Sequence, residues 1–150
     1  MARRATILLV EDSADDALLV CRAVQLTFSG IPVSVVRDGV EAVRYFKGDG
    51  MYSDRQAYPF PQVVLLDLKM PQMDGFEVLR WIRQVPGLKR LPVIVLTGSP
   101  VEEDTTRAYE SGANSYIVKP GSFDEMVKTI RNLGDFWFNG SLLPDVSPEM

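Results

Sequence analysis

VVLLDLKMPQMDG, residues 63–75, is the stretch on which the reading of this chain turns. Four apolar residues, Val63 to Leu66, run straight into Asp67. Pro71, Asp74 and Gly75 then turn the chain into an amphipathic segment. A continuous Val/Leu run is how a strand buried on both faces reads, as in a parallel sheet. An acid where such a strand ends lies on the rim where open α/β sheets bind ligands. Taken alone, Asp67 reads better as a loop-start Asp bonding its own backbone.

Four more segments repeat the pattern. ILLV at 7–10 is a short apolar run closed by Glu11 and Asp12. Ser13 and the acids Asp15 and Asp16 open a helix, and Ala17, Leu18, Cys21, Val24, Gln25 and Phe28 continue at helical spacing. Residues 33–36 predict a second strand nearer an edge. Asp38-Gly39 leads into a helix through Val40, Ala42, Val43 and Phe46 that Gly48 stops. Residues 48–62, GDGMYSDRQAYPFPQ, predict a long surface loop. The third helix carries Phe76, Val78, Leu79, Trp81 and Ile82, and ends before Pro86-Gly87. Strand four follows Pro92 and runs to Leu96. Ser99, Pro100 and Glu102 predict a capped fourth helix with Pro at its first position. That helix, through Thr105, Ala108 and Tyr109, is weakly apolar and is expected to be loosely held. Residues 116–118 form strand five. Ser122 to Glu125 caps a last helix with a stripe of Phe123, Met126, Val127, Ile130 and Leu133. Five strand–helix repeats imply one α/β domain: a parallel sheet with helices on both faces.

Composition narrows the chemistry. The 150 residues carry a formal net charge of -4, and no basic cluster offers a nucleic acid its phosphate contacts. No apolar run has membrane-spanning length, and MARRAT leads directly into a strand. The lone Cys21 is read as a buried structural thiol, which fits a cytoplasmic protein. There is no histidine, which removes Ser-His and Cys-His mechanisms and His-based zinc sites.

On one rim the ends of strands one, three, four and five bring together Glu11, Asp12, Asp67, Thr97 and Lys119. Three clustered acids repel unless a cation sits among them, and a hard divalent ion with oxygen ligands, Mg2+ above all, fits. Asp67 then reads as a nucleophile toward phosphorus, with Thr97 and Lys119 stabilising the transferred oxygens.

As a set, ILLVED, LLDLKMPQMDG, VIVLTGS and SGANSYIVKP resemble the receiver domains of two-component response regulators, over roughly residues 5–135. The resemblance implies a flavodoxin-like (βα)5 fold with strand order 2-1-3-4-5. It implies a phosphoacceptor at Asp67, served by a histidine kinase. It implies Mg2+ on Glu11, Asp12, Asp67 and the Lys69 backbone carbonyl, with Thr97 and Lys119 on the phosphoryl group. Tyr116 takes the aromatic switch position with Thr97, and Lys119–Pro120 is expected to be cis. Gly75 is expected to allow close backbone approach after Asp67. Residues 1–135 make the receiver, and 136–150 an aromatic and apolar tail without a separate output domain. Phe136, Trp137, Phe138, Leu142 and Leu143 either fold back on the domain or pair two subunits, and a homodimer is expected. Loop and tail together are similar to stand-alone regulators of phytochrome-type kinases.

Two other classes compete. A haloacid-dehalogenase-type phosphatase wants a second acid two residues after its nucleophile, where this chain has Lys69. A flavodoxin-like FMN protein wants a phosphate loop after strand one, where Glu11, Asp12, Asp15 and Asp16 repel phosphate. A degenerate receiver used only for docking would lack a site residue, and none is missing. The Lys69 side chain, two residues past Asp67, is expected to influence water attack on the acyl phosphate.

Overall fold

The computed structural model describes residues 6–140 and 143–147. Leu142, part of the expected apolar tail, lies outside the described residues. Five parallel strands, β1 (Ile7–Val10), β2 (Val33–Val36), β3 (Val63–Leu66), β4 (Val93–Thr97) and β5 (Ser115–Val118), form one sheet in the order β2-β1-β3-β4-β5. They alternate with helices α1 (Ala14–Thr27), α2 (Gly39–Lys47), α3 (Gly75–Gln84), α4 (Glu102–Glu110) and α5 (Phe123–Gly134). The three central strands are buried along their whole length, which is why they read as unbroken apolar runs. The edge strands β2 and β5 are only partly buried.

The pleat sorts each central strand between two layers. Leu8, Val10, Val64, Leu66, Val93 and Val95 face α2, α3 and α4, and meet Phe46, Phe76, Leu79 and Ile82 there. Ile7, Leu9, Val63, Leu65, Ile94 and Leu96 face α1 and α5, against Val20, Val24, Met126 and Ile130. The buried side of α1 is Ala17, Val20, Ala23 and Val24. Leu18, expected inside, is exposed, and Cys21 is half-buried, its thiol pushed up by burial.

Residues 48–62 depart from the expected surface loop. A 3-10 turn, Gly50–Ser53, buries Tyr52 against Tyr45, with ring centroids 4.9 Å apart. The Tyr52 hydroxyl donates to Glu41, and burial, with that bond and the Glu41 charge, pushes its ionisation up. The Arg55 guanidinium covers the Tyr45 and Phe60 rings and donates to the Phe46 carbonyl at 3.0 Å. Tyr45 rather than Val40 therefore lies inward on α2. The Tyr45 hydroxyl is 2.8 Å from both the Ser34 hydroxyl and the Pro59 carbonyl.

Among the helices α4 is the least anchored. Its one buried side chain is Ala108, while α3 buries Phe76, Val78, Leu79 and Ile82. Each large apolar side chain adds about 1.5–3 kcal/mol when buried, so α4 lacks most of what holds α3. The expected cap at Ser99-Pro100 does not form. The helix begins at Glu102 behind Val101, which makes no side-chain cap bond. Ser99 Oγ donates instead to Asp104, at 2.7 Å.

Arg83 fastens the far end of α4. Its guanidinium donates to the Gly112 carbonyl at 2.9 and 2.7 Å, to the Leu91 carbonyl at 2.7 Å and to Asn114 Oδ1 at 2.9 Å. These bonds tie α3 to the start of β4 and to the turn after α4. Charged-group hydrogen bonds contribute about 1.5–3 kcal/mol each where no partner replaces them. Arg83→Ala is expected to lose roughly 2–3 kcal/mol in urea or thermal unfolding, and unfolding unchanged from the parent would refute this role.

Beyond α5 the chain continues as a π-helical segment, Asp135–Gly140. Trp137 and Phe138 pack on the α1/α5 layer, and Phe138 meets Phe28 edge-on at 5.4 Å. Phe136 points outward, 61% exposed. Leu143 rests on the same layer and Val146 on the opposite one, while the Ser147 N–H donates to the Gly87 carbonyl at 2.9 Å. These tail residues pack on their own domain.

Candidate functional site

The carboxyl ends of β1, β3, β4 and β5 place the rim residues by register, since Val10 pairs with Leu66, Leu66 with Val95, and Thr97 with Val118. Glu11, Asp67 and Lys119 follow those strands directly. The Glu11 N–H donates to the Val36 carbonyl at 2.9 Å, the Asp67 N–H to Val10 at 3.0 Å and the Lys119 N–H to Thr97 at 2.7 Å. The sheet ladder thus extends into the site and fixes its backbone.

Asp67 is 5% exposed and divides its two oxygens between two tasks. Oδ1 accepts the Leu68 N–H at 2.7 Å and, weakly, the Lys69 N–H at 3.4 Å. Oδ2 lies 3.2 Å from Lys119 Nζ. Oδ1 thus makes the local loop-start bonds, while Oδ2 faces Lys119 and accepts no backbone N–H among the described residues. Glu11, 2% exposed, accepts the Ser13 N–H at 3.1 Å on Oε1 and holds Lys119 Nζ at 2.7 Å on Oε2.

One ligand oxygen from each of Glu11, Asp12 and Asp67 can be chosen so that all lie within 4.8 Å of one another. Three carboxylates at that spacing, two of them buried, suit a hard divalent ion with oxygen ligands. Burial pushes the Glu11 carboxyl up to about 7, opposed by the Lys119 hydrogen bond and aided by the charge of Asp67. A cation beside Glu11 would oppose that upward pressure. Lys69 and Asp12 line one cavity of about 350 Å³, with Pro71, Asp74 and Arg107 around it.

Burial alone would lower Lys119. Its hydrogen bonds to Asp16 and Glu11 and the charge of Asp67 outweigh that and hold its ammonium well above the usual range. Thr97 is fully buried and its Oγ1 has no hydrogen-bond partner. A buried hydroxyl left unpaired costs about 1–3 kcal/mol, so the site retains a donor for a group that arrives. Tyr116 does not leave its hydroxyl in water. It donates to the Ser99 carbonyl at 2.7 Å, while the Tyr116 N–H donates to the Tyr109 hydroxyl at 3.1 Å.

Three expectations need correction or addition. No cis peptide bond occurs among the described residues, so Lys119–Pro120 is trans. The energetic preference at an X-Pro bond is only about 0.5–1 kcal/mol, and the Lys119 contacts above are all made with the trans bond. The Lys69 side chain turns away from Asp67, 64% exposed, and pairs with Asp104 at 3.3 Å. The Ser99 hydrogen bond first, then the Lys69 charge, hold the Asp104 carboxyl below the usual range. Asp16, read from sequence as a helix-start acid, also reaches Lys119 Nζ, at 2.8 Å. Its place in the first turn of α1, facing the rim, was the available signal. The helix-start role masked it.

This fold and this rim define a class. The chain belongs to the response-regulator receiver family: the family described as "Response regulator receiver domain" matches residues 7–131. Among individual relatives it is similar to Response regulator Rcp1 of Synechocystis sp., 38% identical over 92% of each chain. It is 37% identical to the probable methanogenesis regulatory protein FilR2 of Methanothrix harundinacea, over 92% of this chain and 86% of that one. The structure of the phosphorylated cyanobacterial phytochrome response regulator RcpA superimposes with a TM-score of 0.87 at 35% identity, covering 95% of this chain and 100% of that one. The Mn2+-bound form of Rcp1 superimposes at 0.82 with 37% identity, over 93% and 99%. The protein is a receiver-domain response regulator, not a classical enzyme, and no helix among the described residues is long and apolar enough to cross a membrane.

Proposed function

We propose that Asp67 accepts a phosphoryl group from a histidine kinase in a Mg2+-dependent reaction that the protein itself catalyses. The observation that carries this reading is the division of Asp67: Oδ1 is held by its own loop, and Oδ2 stands free of the backbone beside Lys119. Glu11, Asp12, Asp67 and the Lys69 carbonyl would hold the ion. When bound, the ion neutralises charge on the incoming phosphoryl oxygens. Asp67 Oδ2 forms the new bond to phosphorus as the bond to the kinase histidine breaks. The histidine nitrogen keeps the electron pair. Lys119 pairs with a phosphoryl oxygen, and the unpartnered Thr97 hydroxyl donates to another. Thr97 and Tyr116 then act as the switch, and the loosely held α4 changes its packing.

In this reading residues 1–135 act as the receiver and 136–150 as a tail whose Trp137, Phe138, Leu143 and Val146 pack on it. Similar overall length in Rcp1 and RcpA supports it. The kinase is of phytochrome type, a reading supported by what RcpA is described to be. The message travels by protein contact in the cytoplasm, where a lone Cys21 needs no partner. Exposed Val101, Tyr109 and Val118 offer apolar surface on the α4–β5 side for a homodimer.

Metal removal tests the reading. Acetyl phosphate or a phosphorylated kinase is expected to label the protein with Mg2+, to leave it unlabelled in excess chelator, and to label it again on Mg2+ addition. Labelling at full level in chelator would refute it. Sedimentation with and without beryllofluoride and Mg2+ reads assembly at the same time. Faster phosphotransfer from a phytochrome-type kinase than from kinases with other sensory domains is expected, and the reverse order would remove the phytochrome assignment.

A further inference from the structure

Lys119 Nζ is surrounded by three carboxylates, at 2.7 Å from Glu11 Oε2, 2.8 Å from Asp16 Oδ2 and 3.2 Å from Asp67 Oδ2. An ammonium has three N–H donors, so each acid has one. Glu11 and Asp67 belong to the cluster that fits a divalent ion, and Asp16 does not. Asp16 also differs in setting. It stands on α1, not on a strand end, and its side chain is 39% exposed, so water reaches it while the other two are buried. Its own N–H is capped by Ser13 Oγ at 3.2 Å, which fixes the turn that carries it.

The geometry points to Asp16 as a positioning residue for Lys119, and this rests on the reading of Asp67 as phosphoacceptor. The ammonium already touches Glu11 and Asp67, two residues that would hold the ion, and must leave at least one of those oxygens when the ion binds. Asp16 draws one donor to the side. When the ion takes Glu11 and a phosphoryl group occupies Asp67, Lys119 exchanges two of its partners for phosphoryl oxygens. The bond to Asp16 persists through that exchange and serves as the pivot. A four-carbon flexible stem is thereby held near the place where the charge arrives.

A double-mutant cycle tests it. Mg2+ affinity is measured by calorimetry, and by the paramagnetic signal of Mn2+, in the parent, Asp16→Ala, Lys119→Met and the double variant. Asp16→Ala is expected to weaken binding about tenfold with Lys119 present and by less than about twofold in the Lys119→Met background. Asp15→Ala removes the same charge one residue away and is expected to change affinity by less than about twofold. In metal-free protein, the Nζ proton resonance of Lys119 is expected to broaden or vanish in Asp16→Ala while the amide spectrum of β1, β3 and β4 stays in place. An equal loss in both Lys119 backgrounds, an equal loss in Asp15→Ala, or unchanged affinity in Asp16→Ala would overturn the inference. If the parent is never labelled by phosphodonors, the Asp67 reading fails instead. If the parent is labelled and the cycle is additive, the Asp16 inference alone fails.

Discussion

Asp67→Asn is expected to abolish phosphoryl labelling in the presence of Mg2+ while leaving the fold in place. The amide is isosteric, and its oxygen still accepts the Leu68 N–H that Asp67 Oδ1 accepts at 2.7 Å. What is lost is the nucleophile, because an amide nitrogen in the position of Oδ2 has no free electron pair to offer phosphorus. It also replaces the acceptor facing Lys119 with a donor, at a spacing of 3.2 Å. Only Glu11 and Asp12 of the three clustered acids remain, and two carboxylates would hold a divalent ion more weakly than three. Gel-shift or radiolabel assays with a phosphorylated kinase and with acetyl phosphate are the measurement, with circular dichroism as the control for folding. Full labelling of the Asn variant would place the acceptor elsewhere.

The second large effect is expected at Gly75→Ala. A Cβ there would lie 2.2 Å from the Asp67 carbonyl oxygen and 2.7 Å from Leu68 Cα, both backbone atoms that no rotamer change can remove. The close approach exists because the Gly75 N–H donates to the Leu68 carbonyl at 3.0 Å, bringing the start of α3 onto the segment that leaves Asp67. Overpacking of a tight site costs about 1–3 kcal/mol, and a backbone clash belongs at the upper end. For a chain of this size that is a fall in Tm of roughly 2–4 °C per kcal/mol. Relief of the clash must also move Asp67 or Leu68, and misplacement of a reacting group by about 1 Å costs on the order of 100-fold in rate. Gly121→Ala is the control, since nothing lies within 4 Å of a Cβ at that position. Stability and labelling equal to the parent in Gly75→Ala would mean that the α3 start is free to shift.

The legible parts of the fold share a cause. β1, β3 and β4 are buried on both faces, so burial acts on every residue and leaves continuous apolar runs. Their order then brings Glu11, Asp67, Thr97 and Lys119 to one rim, which connectivity alone implies for a parallel sheet. Local capping was legible at Ser13 and Ser122 for the same reason of short range, each accepting an N–H three residues on, while Asp38 and Asp74, read only as turn residues, make the same kind of cap. Gly75 was legible because the clash it avoids lies within its own loop.

Errors fall where a distant partner outvotes the local pattern. Val40 has the right spacing to be buried on α2, but Tyr45 takes that place because Ser34, Tyr52 and Pro59 come to it. Ser99 has the right type for a cap, but the helix starts only at Glu102, and the Ser99 hydroxyl accepts the Val101 N–H at 3.3 Å while donating to Asp104. Asp16 has a complete local explanation as a helix-start acid and still acquires Lys119, 103 residues away.

The sequence by itself therefore determined the parallel sheet and the identity of the rim residues, because burial periodicity and strand connectivity are properties of the chain, while the strand order came from the family resemblance. The tertiary structure decided which oxygen of Asp67 stays free of its own loop and that Lys119–Pro120 is trans. It also decided that the 48–62 segment builds an aromatic layer around Tyr52, and that Leu143 and Val146 return to their own domain. Each of these depends on atoms far apart in sequence meeting within hydrogen-bond or van der Waals distance, and no local pattern encodes such meetings.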